Sequence, residues 1–490
     1  MKLAAVRGAA WAAIQRMGTH LVSFLVLLIL SRLLTPAEIG LVALATVFIS
    51  AGQVVLDLGL SQALIQRRDN SALDVDTAFW ITLASGVLLA SGFSATSDVA
   101  AAVFGEAALG PVLRWSSISL LLLSMNATQK ALLQRELAFG RLAARTLAAE
   151  LVGGAVGIGM AMGGYGVWSL VARNLIRDLT GVIVLWKVSP WRPRPRASGS
   201  SVREMRSFGT AVIGARALEF LHHSADQVLI GYFAGPAMLG YYVVGLRVLR
   251  VVRQLLVESI AAVAFPFFSR LQDDPKRLRR SYLAGTRFTT LAAFPAFLGL
   301  ALVAPELIAV LLGEAWVASV PVMQVMALLG LVQAAGFFPG AVLLAMGRPV
   351  WRLGLNLVNS IGNVVAILLA VPSGLTAVAV AQVVRAYLLF PLSLHAARVT
   401  LGLRWRDYLM ASIPAASGSV AMVAAVAGIR GILAGQGQEW VRLGAAIAVG
   451  AAVYILTIRM VSPQSLREAI ALVRSVFHAG GPDPGETVAD

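Results

Sequence analysis

The sequence predicts an all-α integral membrane protein with about fourteen transmembrane helices. Apolar segments of about twenty residues, the length that crosses the hydrocarbon core, recur along the whole 490-residue chain. Hydrophobic residues make up 58% of the chain and charged residues only 13%, too few to cover the surface of a soluble protein of this length. The charges also alternate between successive loops, as the positive-inside rule requires.

Lysine and arginine lie in every second loop between the apolar segments. The predicted spans begin near Ala9, Ala37, Thr77, Val112, Leu142, Val167, Phe208, Ala237, Tyr282, Ala318, Val350, Thr376, Tyr408 and Val441. The even-numbered exits carry Arg67, Arg68, Lys130, Arg135, Lys187, Arg192, Arg194, Arg196, Lys276, Arg277, Arg279, Arg280, Arg348, Arg352, Arg404 and Arg406. The odd-numbered exits carry Asp98, Glu106, Glu306 and Glu314. Because cytoplasmic loops hold the excess of lysine and arginine, the pattern predicts a multi-pass bacterial inner-membrane protein with both termini in the cytoplasm.

A basic, proline-rich linker at residues 189–207 divides the chain after the sixth predicted span. A repeated motif supports this division: residues 36–40 are PAEIG at the start of the second span, and residues 236–240 are PAMLG at the start of the eighth. Such a repeat predicts two six-helix lobes that enter the membrane from the same side. The predicted domains are an N-lobe at 1–188 (helices 1–6), the cytoplasmic linker at 189–207, a C-lobe at 208–398 (helices 7–12), helices 13 and 14 at 399–462, and a cytoplasmic tail at 463–490.

Several function classes are excluded by what the sequence lacks. There is no cysteine for a disulfide or a thiolate metal site. The net charge of +16 lies in short loops rather than on a soluble module that could bind nucleic acid. There is no Ser-His-Asp arrangement and no Gly-Lys-Ser/Thr phosphate loop, so the sequence predicts no catalytic residue, no bound cofactor and no metal site. The glycines of residues 153–164 lie within a span and predict close helix packing.

Ionisable side chains inside the predicted spans are the candidate functional residues, because a charge in hydrocarbon is costly unless it is paired or hydrated. Glu219 and Asp226 share a helix face with Arg216 in the seventh span, and Arg247 and Arg250 lie in the eighth. A turn near Gly235 would set Glu219 level with Arg250. Further arginines occur in the first and twelfth spans: Arg16 and Arg385.

This excess of arginine predicts a cationic, water-filled cavity between the two halves of the chain, where it would bind phosphate oxygens. Its candidate binding residues are Arg16, Arg216, Arg247, Arg250 and Arg385. Snorkelling or structural pairing is the alternative for each arginine on its own. The carboxylates Glu219 and Asp226 are candidates for binding a coupling proton or sodium ion, with an ion pair between Glu219 and Arg250 as the structural alternative.

A set of short motifs then resembles a known transporter family. They are LSRLLTPAEIG at 30–40, GLSQALIQR at 59–67, TAFW at 77–80, LQRELAF at 133–139, GYGVW at 164–168, ADQVLIG at 225–231 and AFPFFSRLQ at 264–272. Together they resemble the polysaccharide transporter family, the Wzx-type flippases and colanic-acid-exporter-like proteins of the MOP superfamily. The resemblance extends to about residue 398; helices 13 and 14 match only in hydrophobicity.

The resemblance implies a flippase that moves undecaprenyl-diphosphate-linked oligosaccharide repeat units across the inner membrane by alternating access, for exopolysaccharide, capsule or O-antigen biosynthesis. It also implies coupling to a proton or sodium gradient, and a polysaccharide polymerase and export machinery as partners beside the substrate and the membrane lipids. A lipid II flippase is the alternative within the superfamily. A membrane-embedded polymerase or glycosyltransferase is less favoured, because the predicted outer loops are short.

Overall fold

The computed structural model describes residues 18–19, 21–67, 70–433, 438–464 and 467. All regular secondary structure in these residues is helical, which confirms the predicted all-α class. The chain divides into two compact units. Unit 1 takes the described residues within Met1–Gly245, Leu311–Ser319 and Ser360–Val378, and unit 2 takes those within Leu246–Val310, Val320–Asn359 and Ala379–Asp490.

The helices that begin in unit 1 are α1 (Leu21–Leu33), α2 (Pro36–Leu56), α3 (Leu60–Gln66), α4 (Ala72–Ala95), α5 (Ser97–Phe104), α6 (Leu109–Ser116), α7 (Ile118–Arg135), α8 (Phe139–Met162), α9 (Val167–Val188) and α10 (Gly199–Arg253). After a π-helical segment (Gln254–Glu258), unit 2 continues with α11 (Ser259–Ser269), α12 (Pro275–Leu311), α13 (Val320–Ala335), α14 (Pro339–Ala345), α15 (Pro349–Ala370), α16 (Leu375–Leu401), α17 (Trp405–Ile432) and α18 (Glu439–Val461). Parts of α12, α15 and α16 fall in unit 1.

Ten helical segments of the described chain are long and apolar enough to cross a membrane. The α1 helix is apolar but shorter. A multi-pass membrane protein is therefore confirmed, while the count of about fourteen spans and the division into two six-helix lobes stay predictions.

Helix α2 begins at the first copy of the repeated motif. Thr35 caps the helix: its backbone N–H donates to Glu38 Oε2 at 2.7 Å, and its hydroxyl accepts from the Glu38 N–H at 3.4 Å. Pro36 occupies the first helical turn, where a missing N–H costs nothing. The Thr-Pro-Ala-Glu sequence thus specifies a helix start.

Helix α10 is broken at Gly235, where φ is +81°. Only glycine adopts this conformation readily, so the turn that the sequence predicted near Gly235 is confirmed. The chain reverses direction at Gly235. This brings Tyr242, after the turn, close to Asp226, before it, and the Tyr242 hydroxyl donates to Asp226 Oδ2 at 2.6 Å.

Helices α8 and α9 pack closely along a glycine face. A Cβ on Gly153 or Gly157 would lie 2.8 Å from atoms of Arg177 or Arg173 on α9. The predicted packing role is therefore confirmed for Gly153 and Gly157, whereas the Cβ position of Gly159 is open.

The linker that follows α9 is held against α4. Trp80 Nε1 donates to the Arg194 carbonyl at 2.7 Å, and Asp76 Oδ1 accepts from the Arg194 N–H at 3.2 Å. Thr77 Oγ1 accepts from the Ser198 N–H at 3.0 Å. Helix α10 begins at the next residue, so its first turn follows directly on an anchored segment.

In unit 2, α17 and α18 pack on α12. Met422, Val426 and Ala446 form a buried cluster with Val303. Tyr454 donates its hydroxyl proton to the carbonyl of Leu291 at 2.7 Å. The two last helices are therefore an integral part of unit 2.

Candidate functional site

A cavity of about 320 Å³ lies within unit 1, and it is the candidate functional site. Side chains from α2, α3, α7, α8 and α10 line it. The chain passes from α2 to α3 through Asp57, Leu58 and Gly59, and the last two residues have φ of +50° and +76°. This tight turn sets the end of α2 against the start of α3, and Asp57 lies at the cavity wall.

Among the described residues, the charged side chains that line the cavity are Lys130, Arg145, Arg216 and Asp57. Three cations and one carboxylate leave a net charge of +2. Arginine and lysine bind phosphate or carboxylate oxygens through charge-assisted hydrogen bonds, which are stronger than neutral ones. The cavity is therefore suited to an anion.

Arg216 and Asp57 form an ion pair at the cavity wall. Arg216 Nη1 lies 3.0 Å from Asp57 Oδ1. The same oxygen accepts from the Gly59 N–H at 2.9 Å, and Asp57 is only 8% exposed. The turn thus fixes the carboxylate, and the carboxylate orients the guanidinium of Arg216.

Arg145 reaches the cavity across the surface of α9. Its Nη2 lies 2.5 Å from the point where a Cβ on Gly181 would stand. Its Nε is buried and makes no hydrogen bond to the described residues. Glycine at position 181 therefore leaves the space in which this guanidinium lies.

An ion-pair network on α8 and α9 lies beyond Arg145. Arg173 Nη2 is 3.2 Å from Glu150 Oε2, and Arg177 Nη2 is 3.0 Å from Asp178 Oδ1. Both carboxylates are buried. These two arginines are thus compensated within α8 and α9.

Four carboxamide side chains also line the cavity, and they are Gln53, Gln62, Asn126 and Gln134. Both polar atoms of the Asn126 amide are buried and have no hydrogen-bond partner among the described residues, and the same holds for Gln62 Oε1. The cavity therefore combines positive charge with amides that can donate and accept hydrogen bonds.

Of the five arginines predicted to bind phosphate, Arg216 lines this cavity. Arg247, Arg250 and Arg385 belong to unit 2, where each is half-buried. Arg385 Nη1 donates to the Asn359 carbonyl at 2.8 Å and approaches Asn359 Oδ1 at 3.3 Å. Arg16 lies outside the described residues. Their role in binding stays a prediction.

The two candidate coupling carboxylates have different surroundings. Glu219 is exposed in unit 1. Asp226 is half-buried and accepts from the Tyr242 hydroxyl and from the Gln227 N–H, the latter at 2.8 Å. Arg250 belongs to unit 2, so the pairing of Glu219 with Arg250 stays a prediction.

Sequence reasoning missed two of the cavity cations and the carboxylate. The alternation of charged loops predicts a cytoplasmic loop for Lys130, whereas the structure places it within α7, and the candidates predicted from the sequence do not include Arg145 or Asp57. A signal was present on α7, where Asn126 and Lys130 are four residues apart and so share one helix face.

Comparisons with known proteins identify the family. A family model described as polysaccharide biosynthesis protein matches residues 29–321, more than half of the chain. The chain is 26% identical over 322 residues to the succinoglycan biosynthesis transport protein ExoT of Rhizobium meliloti, covering 66% of this chain and 65% of ExoT, just under two thirds of that relative. It is 26% identical over 344 residues to the teichuronic acid biosynthesis protein TuaB of Bacillus subtilis, covering 70% of this chain and 71% of TuaB. It is 24% identical over 347 residues to the lipopolysaccharide biosynthesis protein WzxC of Escherichia coli, covering 70% of each chain.

Solved structures share the fold. The lipid II flippase MurJ in an inward closed conformation superposes with a TM-score of 0.74 at 11% identity, covering 96% of this chain and 98% of MurJ. An inward-facing multidrug resistance MATE family transporter of the MOP superfamily superposes with a TM-score of 0.62 at 14% identity, covering 80% of this chain and 98% of the transporter. At these identities the likeness establishes the fold alone. Together with the family match it confirms the resemblance found in the sequence motifs, and the chain belongs to the polysaccharide biosynthesis protein family.

Proposed function

We propose that the protein is a flippase for lipid-linked saccharides whose head group contains a diphosphate, and that it moves them from the cytoplasmic to the periplasmic leaflet of the bacterial inner membrane. The observation that carries the proposal is the cavity of unit 1, whose charged side chains in the described part of the chain sum to +2. A membrane-embedded cation is costly, so such a cluster needs an anion or water as its partner.

The chemistry of the cavity suits a diphosphate better than a cation or a neutral lipid. The forks of Arg145 and Arg216 present paired N–H groups at the spacing of phosphate oxygens. Lys130 adds a point charge on the neighbouring helix. The lipid tail of such a substrate can remain in the bilayer while the polar head group alone crosses it.

Asp57 keeps the binding moderate. Its carboxylate already neutralises part of the Arg216 charge at 3.0 Å, so an entering phosphate competes with it for the guanidinium. A transporter needs a site that releases its substrate, because a ligand held equally in every state shifts no equilibrium. The ion pair supplies a partner for Arg216 after the phosphate leaves.

The names of the relatives are consistent with this proposal. ExoT is named a transport protein of succinoglycan biosynthesis, and TuaB and WzxC are named for the biosynthesis of teichuronic acid and lipopolysaccharide. We therefore propose undecaprenyl-diphosphate-linked oligosaccharides as the substrates, an alternating-access cycle coupled to a proton or sodium gradient, and no catalytic step. Arg16, Arg247, Arg250 and Arg385 remain proposed as further phosphate contacts.

A lipid II flippase is the second candidate, since the fold matches that of MurJ over 96% of the chain. Lipid II and lipid-linked repeat units share the polyisoprenoid diphosphate. Transport of both substrates by the reconstituted protein therefore has to be measured side by side.

The experiment replaces the cavity arginines in a strain that depends on this chain for surface polysaccharide. Arg145→Gln and Arg216→Gln together remove the paired donors, and we expect export to fall about tenfold or more, since each charge-assisted hydrogen bond contributes about 1.5–3 kcal/mol. Membrane abundance is measured in parallel and export is expressed per folded protein, because Arg216→Gln also leaves the Asp57 carboxylate without its cationic partner.

The matched control is Arg114→Gln. Arg114 also forms an ion pair, with Asp98 at 2.7 Å, but both side chains are exposed and neither lines the cavity. Export should stay within about twofold in this variant, because surface ion pairs contribute little. Normal export by the double variant at normal abundance would overturn the proposal.

A further inference from the structure

We infer that the carboxamides of the cavity form a subsite for the sugar that is attached to the diphosphate, with Asn126 as its central residue and Gln62 beside it. The inference rests on the proposed function and deepens it, because it assigns sugar selectivity to residues that carry no charge. The ligand class is a hexose or N-acetylhexosamine joined to the phosphate.

The observation behind the inference is an amide without partners. Asn126 is only 3% exposed, it lines the cavity, and neither its nitrogen nor its oxygen forms a hydrogen bond with the described residues. Gln62 Oε1 lines the same cavity in the same unsatisfied state. Buried polar groups in folded proteins nearly always have partners, in the protein or in ordered water, so these two amides require hydrogen-bond partners from within the cavity.

Carboxamides distinguish a sugar from a phosphate. A phosphate oxygen only accepts hydrogen bonds, whereas a sugar hydroxyl or acetamido group both donates and accepts. In the Asn126 amide the nitrogen donates hydrogen bonds and the oxygen accepts them. The cations of the cavity therefore suit the diphosphate, and the amides suit the saccharide.

The spacing on α7 fits two adjacent parts of one head group. Asn126 and Lys130 are four residues apart, so they lie on the same face about 6 Å apart along the helix axis. The first sugar of such a substrate is bonded directly to the terminal phosphate. A phosphate held by Lys130 would thus bring the neighbouring sugar ring level with Asn126.

The test measures binding to the purified full-length protein in lipid nanodiscs with three probes. They are undecaprenyl diphosphate, undecaprenyl diphosphate–glucose and undecaprenyl diphosphate–N-acetylglucosamine. The decisive variant is Asn126→Leu, which keeps the approximate shape and removes both polar groups. Gln62→Met makes the same change at the second residue, and Thr128→Val is the control, a buried polar residue of α7 that does not line the cavity.

We expect the unmodified protein to bind at least one sugar-bearing probe about tenfold more tightly than undecaprenyl diphosphate, the effect of one or two neutral hydrogen bonds. Asn126→Leu should reduce that ratio to within about twofold while leaving the affinity for undecaprenyl diphosphate unchanged. Its folded abundance should not fall, because the amide loses no protein partner. Arg145→Gln should weaken all three probes alike, and Thr128→Val should leave the ratio as it is.

The outcomes separate the two proposals. If the unmodified protein binds all three probes equally, or if Asn126→Leu keeps the full preference, the subsite is wrong and the flippase proposal stands. If the unmodified protein binds none of the probes, the proposed function is wrong, and the subsite falls with it.

Discussion

The carbonyl oxygen of Pro236 lies 1.7 Å from the position that a Cβ on Gly40 would occupy. The relation is reciprocal, because the carbonyl oxygen of Pro36 lies 1.9 Å from the corresponding position on Gly240. The two copies of the repeated motif thus cross backbone against backbone. The fifth residue of each motif is glycine because only a hydrogen atom fits at the crossing.

Replacing Gly40 with alanine should therefore destabilise the protein. The obstructing atoms are backbone, so the two segments have to separate, and overpacking of this kind costs about 1–3 kcal/mol or more. We expect a lower thermal midpoint in detergent and less folded protein in the membrane. Gly92→Ala in α4 is the control, since nothing lies within 4 Å of its Cβ position. Equal stability of the two variants would contradict the close crossing.

Gly181→Ala should act on Arg145 without unfolding α9. The new methyl group would lie 2.5 Å from Arg145 Nη2, the end of a flexible side chain, so the guanidinium can move away. Alanine also favours a helix interior over glycine by about 1 kcal/mol. We expect normal abundance and several-fold lower polysaccharide export, with Gly159→Ala, whose Cβ position is open, as the control. Unchanged export would show that Arg145 does not contribute to the site.

Asp226→Asn tests ion coupling. The amide oxygen can still accept from the Tyr242 hydroxyl, so the contact across the Gly235 turn is retained while the ionisable group is lost. In proteoliposomes we expect transport that no longer responds to an imposed proton or sodium gradient. Tyr242→Phe removes the hydrogen bond and keeps the carboxylate, so it should retain the response. Glu219→Gln is measured in the same series, and full gradient dependence in both carboxylate variants would reject the coupling hypothesis.

The ion pair between Arg430 and Glu306 should stabilise unit 2. Arg430 Nε and Nη2 both lie 3.0 Å from Glu306 Oε1, and Arg430 Nη1 donates to the Leu302 carbonyl at 2.6 Å. Glu306 is buried and Arg430 is partly exposed, so Arg430→Met should cost about 1–3 kcal/mol by leaving a buried carboxylate unsatisfied.

Adding Glu306→Gln to that variant should restore most of the stability, because the unpaired charge is removed. Thermal unfolding of the purified variants measures both effects. A double variant that is less stable than Arg430→Met would show that the carboxylate acts through other contacts.

The alternation of charged loops predicts the topology. Reporter fusions at Ser200 and Asp274 should lie in the cytoplasm, and fusions at Gly105 and Gly313 in the periplasm. Alkaline phosphatase and fluorescent protein fusions give opposite signals on the two sides. A periplasmic signal at Asp274 would contradict both the predicted helix count and the predicted two-lobe arrangement.

The sequence predicted those features that depend on local chemistry. Apolar length and composition indicated the helical membrane fold, Gly235 indicated the turn in α10, and residues 153–164 indicated close helix packing. Arg216 was selected because a guanidinium within a span is costly wherever it lies. Each of these inferences needs only the residue and its neighbours along the chain.

The cavity itself could not be predicted in the same way. Asp57, Lys130, Arg145 and Arg216 come from four separate helical regions, and no periodicity relates them. Arg385 illustrates a second limit of prediction from the sequence: the residue can be identified, but its partner cannot. Its cost as a buried charge was evident, but the Asn359 carbonyl that accepts from it becomes visible only when α15 and α16 are packed together.

The anchored linker also fixes where helix α10 begins, and therefore the direction in which each of its side chains points. Ser198 is fixed to Thr77, and Arg216 follows 17 residues after the first helical residue, Gly199, which is about 26 Å along the axis. One residue inserted between these points would turn Arg216 by about 100° and shift it by about 1.5 Å, directing its guanidinium away from Asp57. The hydrogen bonds between the linker and α4 therefore set the register in which Arg216 of α10 meets Asp57.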